Sequence, residues 1–123
     1  MKTISAILLL LIVSGCTTFY NTVVTVTEVR KNTLTELAVY YKQGLISKET
    51  DAKIEKADQE FLKAASVLEL SLQGVKASQN APDKAALLSA VKAPVLELIN
   101  ILATYSLDAA NKNQNNLTKA NQL

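Results

Sequence analysis

One cysteine, no histidine and four tyrosines limit the chemistry open to this chain. Histidine is the commonest general base and the commonest metal ligand. Without it, neither a Ser-His-Asp nor a Cys-His arrangement can be built. The carboxylates Glu49, Asp51, Glu55, Asp58 and Glu60 crowd one stretch among lysines. Acid–base work needs a buried pair whose environments push its pKa values apart, and a charge run of this kind reads as a solvated helix face. Glu69 and Glu97 stand beside apolar stripes, where glutamates usually reach solvent. There is no glycine-rich phosphate loop. Tyr40, Tyr41 and Tyr105 read as packing residues whose hydroxyls reach the surface. Adjacent Tyr40 and Tyr41 cannot both face one core, so one of them should be exposed. These residues predict a protein that is not an enzyme and holds no cofactor and no metal.

The remaining reactive group is the thiol of Cys16, and its setting is informative. Lys2 gives a positive start, Ile4 to Val13 is an apolar run interrupted only by Ser5 and Ala6, and Val13-Ser14-Gly15-Cys16 closes it with small residues. A basic start, an apolar stretch of about 7–15 residues and a small-residue cleavage site make a secretory signal. A membrane-spanning helix needs about 20 apolar residues, and here Thr17, Thr18 and Asn21 follow at once. Val13-Ser14-Gly15-Cys16 resembles the lipobox of bacterial lipoproteins. The resemblance implies cleavage between Gly15 and Cys16, a diacylglyceryl group on the Cys16 sulfur and an acylated new amino group. Thr17, which is not aspartate, resembles the residue after the cysteine in lipoproteins sent to the outer membrane of Gram-negative cells, facing the periplasm. In a Gram-positive host the anchor would sit in the outer face of the single membrane. One acyl chain binds a membrane only marginally, whereas two or more anchor it stably. The resemblance covers these residues alone.

Loss of residues 1–15 would leave 108 of the 123 residues, enough for one domain. The formal charge of +2 falls toward zero when Lys2 leaves, and no basic patch of the kind nucleic acid requires is present. With Cys16 lipidated there is no disulfide, so packing alone must hold the fold. An apolar content of 49% is sufficient for that, and only three glycines and two prolines argue against a turn-rich all-β chain.

Residues 16–21 read as a lipidated tether, with Phe19 and Tyr20 either resting at the lipid headgroups or packing in the first turn of a helix. From Tyr20 to Gln43, the residues Val23, Val26, Val29, Leu34, Leu37, Ala38 and Tyr41 follow three-and-four spacing, weakening at Arg30-Lys31-Asn32-Thr33. The β-branched run Thr22–Thr27 competes as a strand, but no second strand exists to pair with it. Gly44 is a helix stop. Ser47 is an N-cap with Glu49 and Asp51 in the first turn. A second helix, with Ile54, Ala57, Phe61, Ala65, Leu68, Leu72 and Val75 on its apolar stripe, is predicted to about Ser78. Gln79–Asp83 forms the next turn. A third helix, with Leu88, Val91, Val95, Leu98, Leu102, Tyr105 and Ala109 in register, is predicted to Asn111 and should be the most buried. Pro94 should kink it near Ala90–Pro94. Residues 111–123, rich in Asn, Gln and Lys, read as a flexible, disordered polar tail.

The expected fold is therefore all-α: an antiparallel three-helix bundle, up-down-up, over residues 22–110. Tyr40, Tyr41, Leu87 and Ile101 are the candidate interaction surface. The expected function is a membrane-anchored envelope lipoprotein whose bundle is structural or binds an envelope protein or a second copy of itself. The alternative is a carrier of a small apolar ligand or lipid in the bundle interior.

Overall fold

The computed structural model describes residues 17–74 and 84–120, with side chains described for 21–69 and 86–120. It contains four helices: α1 (Thr17–Lys42), α2 (Lys48–Gly74), α3 (Lys84–Ala103) and α4 (Leu107–Ala120). No strand occurs among the described residues, so the all-α expectation is met and the β-branched Thr22–Thr27 segment is helical. The three-helix bundle is not what forms, because the stretch read as the end of helix three and a loose tail folds as a fourth helix.

The buried face of α1 runs Thr22, Val26, Val29, Thr33 and Leu37. The apolar lane does not break at Arg30–Thr33. It passes through Thr33, fully buried, whose hydroxyl donates to the Val29 carbonyl at 2.7 Å. Thr25, Thr27 and Thr35 make the same bond to the carbonyl four residues back. Satisfied in this way, a threonine can occupy a helix position without an unpaired hydroxyl.

The α1–α2 turn follows the local sequence signals. Gly44 has φ +74°, a left-handed conformation that glycine adopts without steric penalty. The Gly44 amide donates to the Tyr41 carbonyl and the Leu45 amide to the Tyr40 carbonyl, which makes a Schellman closure. Ser47 then caps α2, its Oγ accepting from the Thr50 amide at 3.1 Å.

α3 packs closely against α1, α2 and α4. That position explains its composition: Val91, Val95, Leu98, Ile99 and Leu102 are all buried. Its helical run is continuous through Pro94. Ala57, Phe61 and Leu68 of α2 complete this side of the core.

α3 stops at Ala103 because the Thr104, Tyr105 and Ser106 amides bond back to Ile101 and Leu102 in a tight turn. Ser106 then starts α4, its Oγ accepting from the Ala109 amide at 3.2 Å, with Asp108 in the first turn. The expected tail is a packed helix as far as Ala120, with Ala110, Asn113, Leu117 and Ala120 buried. Small residues at this spacing let α4 lie close to α1 and α3. Asn113, the polar member, donates from Nδ2 to the Ala109 carbonyl at 2.9 Å and to Glu36 Oε1 at 3.3 Å.

The contacts fix the helix directions. Thr22 meets Ala120, and Glu36 meets Asn113, so α1 and α4 are antiparallel. Tyr40 near the end of α1 stacks on Tyr105 just past α3, so these two helices finish at the same end. The order is up-down-up-down. The predicted turn at Gln79–Asp83 and the predicted continuation of helix two over residues 75–78 lie outside the described residues.

Candidate functional site

α1 and α2 are joined by a short turn, yet they are not one of the closely packed pairs. Arg30 fastens them across the gap. Its Nε donates to Asp58 Oδ1 at 2.7 Å, a second guanidinium nitrogen lies 2.6 Å from the same oxygen, and the group sits 4.8 Å from the centre of the Phe61 ring. A guanidinium can make these contacts together because it is flat, with donors at its edge and a face that stacks on an aromatic ring. Beyond this strut the helices leave an open groove of about 310 Å³ lined by Leu34, Leu37, Ala38, Tyr41, Ile46, Asp51, Ile54 and Glu55. Its walls are apolar, with a phenol and two carboxylates among them. Tyr41 and Leu45, at the same end of the bundle, are 58% and 57% exposed, more than apolar packing would leave them.

The sequence-based surface residues divide between two places. Tyr40 is half-buried, its ring 5.3 Å from that of Tyr105 and inclined by 25°. Tyr41 is the exposed one of the pair and lines the groove. Ile101 lies in the last turn of α3, at this same end, and is partly buried against the core. Leu87 is partly buried too, but it lies fourteen residues earlier on α3, about 21 Å along the axis. Tyr40, Tyr41 and Ile101 therefore share one end of the bundle, and Leu87 belongs to the other. Gly15 and Cys16 lie outside the described residues.

A second groove, of about 360 Å³, opens between α3 and α4 and is lined by Ser89, Lys92, Ala93, Leu96, Gln114, Leu117 and Thr118. Burial lowers the pKa of the Lys92 ammonium from the ordinary lysine value. The sequence reading missed this groove because it had no α4 to form the second wall. It missed the Arg30 strut because Arg30 looked only like a gap in an apolar lane.

Among the described residues, no group of three or more His, Cys, Asp or Glu comes together as a metal could require. The segment Ala86–Ala103 of α3, mean hydropathy 1.7, is long and apolar enough to cross a membrane by length and composition. One third of that segment is buried, in a helix that packs against three neighbours.

No family model, curated protein or solved structure matches the chain. The functional reading consequently rests on its own residues.

Proposed function

We propose that this chain is an exported bacterial lipoprotein, held to the cell envelope through lipid on Cys16, whose helical bundle is a non-catalytic structural or protein-interaction module. The observation that carries the reading is Val13-Ser14-Gly15-Cys16 at the end of the apolar run behind Lys2. In a Gram-negative host the anchor would lie in the outer membrane, with the bundle in the periplasm.

The fold offers this reading a clear division of labour. α1 begins at Thr17, immediately after the proposed anchor, and its 26 residues rise about 39 Å. A lipid at Cys16 would keep one end of the bundle near the membrane and present the α1–α2 turn, with Tyr41, Leu45 and the acidic-rimmed groove, away from it. An apolar side chain flanked by a basic group would suit Ile46, Ile54, Asp51 and Glu55. A bend at Ala90–Pro94 belongs to the same proposal, since the proline leaves the Ala90 carbonyl without its usual helical partner.

Mass spectrometry of the chain from its native envelope tests the anchor. The expected product begins at Cys16 and carries acyl mass there, and Cys16→Ala should leave the precursor uncut and unacylated. Native protein that retains Met1 and has no acyl mass at Cys16 would refute it.

A further inference from the structure

The α3–α4 groove differs in charge from the α1–α2 groove. The α1–α2 lining contains two carboxylates and no basic residue, whereas the α3–α4 lining contains Lys92 and no acid. Lys92 is half-buried, and among the described residues it has no ion-pair partner. Among the described residues the other half-buried cation is paired: Arg30 reaches Asp58. An ammonium held partly out of water without a counter-ion is unfavourable, because lost hydration is not replaced.

The rest of the lining suggests what would replace it. Ser89, Gln114 and Thr118 offer hydrogen-bonding groups beside Lys92, and Ala93, Leu96 and Leu117 supply an apolar surface in the same groove. Leu96 is 40% exposed, so part of this surface is open to an incoming chain. A volume of about 360 Å³ is at the small end of the range for small-molecule sites, about 300–1,000 Å³.

We propose that the α3–α4 groove binds a small amphipathic anion, a carboxylate bearing a short aliphatic chain, with the carboxylate on the Lys92 ammonium and the chain along Leu96 and Leu117. A charge-assisted hydrogen bond supplies the selectivity for the anion. The lowered pKa of the free ammonium agrees with this geometry, because a bound carboxylate would favour the charged form. The proposal is independent of lipidation at Cys16 and does not involve the acidic-rimmed groove.

The test is titration of the purified full chain with octanoate, followed by NMR shifts of the Ser89, Gln114 and Thr118 amides. Octanol and octylammonium serve as the neutral and cationic probes. Octanoate should bind saturably, with shifts confined to the two groove walls, and at least tenfold more tightly than octanol or octylammonium. Lys92→Gln should weaken octanoate about tenfold or more, the loss expected of a hydrogen bond to a charged group, and Lys92→Arg should retain most of the affinity. Circular dichroism of each variant establishes that the helices are intact, and Lys92→Met, uncharged and of similar length, replaces Lys92→Gln if that variant unfolds. Equal binding of octanoate by the native chain and Lys92→Gln would overturn the proposal. So would equal affinity for octanol, or no saturable octanoate binding.

Discussion

Asn113→Asp changes one atom of one side chain and should be among the most damaging substitutions in this bundle. Asn113 is 1% exposed. Both partners of its Nδ2 are acceptors, the Ala109 carbonyl and Glu36 Oε1, which fixes the orientation of the amide. Aspartate at this position replaces two donor contacts with two repulsions, one of them against another carboxylate. The two lost hydrogen bonds alone are worth about 2 kcal/mol, at about 1 kcal/mol each. Burial and the neighbouring Glu36 should then raise the pKa of the new carboxyl in the folded state above its unfolded value of about 3.9. A rise of only about two units adds about 2.7 kcal/mol, at 1.36 kcal/mol per unit. The sign follows from linkage. Below the unfolded pKa the carboxyl is protonated in both states and this second part vanishes. It grows as the pH rises above about 4 and is complete once the folded-state pKa is passed. Urea unfolding of the native and variant chains from pH 3.5 to 7.5 should show a gap of about 4–5 kcal/mol near neutrality that narrows by more than half in acid. Asn113→Leu, similar in size and uncharged, should lose far less and show no such pH dependence. An Asn113→Asp gap that stays constant with pH would refute the reasoning, as would one under about 1 kcal/mol at pH 7.

Ser106→Ala should destabilise the chain by about 1 kcal/mol through loss of the α4 cap. Hydrogen exchange should show faster exchange at the Ala109 amide, with α2 unaffected. A double-mutant cycle with Arg30→Ala and Asp58→Ala, read by urea unfolding, should give a coupling of about 1 kcal/mol, the upper part of the range for partly exposed pairs. Arg30→Lys should recover little of it, since an ammonium cannot keep both the carboxylate and the Phe61 face in its place.

Much of this architecture can be read from the chain before any coordinate. Gly44 and Ser47 carry their turn and cap chemistry in their residue types, and the Leu98–Leu102 lane marks α3 as the central helix. α4 is harder to read for a physical reason. Judged by average composition, Lys112 to Lys119 is too polar to order itself. Yet its buried face needs only Ala110, Asn113, Leu117 and Ala120, because small residues reduce the separation between helices and the one amide nitrogen donates two hydrogen bonds. The Leu102, Tyr105, Ala109 register also runs unbroken across the turn, so spacing gives no hint that the chain reverses there. Only Ser106, with Asp108 behind it, signals a new start. Likewise the candidate surface mixes two ends of the bundle, because exposure on α3 can be judged only once its neighbours are known. Adjacent Tyr40 and Tyr41 require only that one ring point outward; the three-and-four lane placed Tyr41 inside, yet Tyr41 is the exposed one.

The hydrogen bond from the Thr22 hydroxyl to the Ala120 carbonyl, 98 positions apart, bears on the order of events in the cell. A closure over so long a span must wait until residues 22–120 have been synthesised. Until then the inner side of α1 lacks α4, one of the two helices that pack closely on it. Were the chain exported through a translocation pore, as proposed, that delay would keep the body from setting too early. The same pairing that locks the finished bundle would thus postpone its completion until after passage.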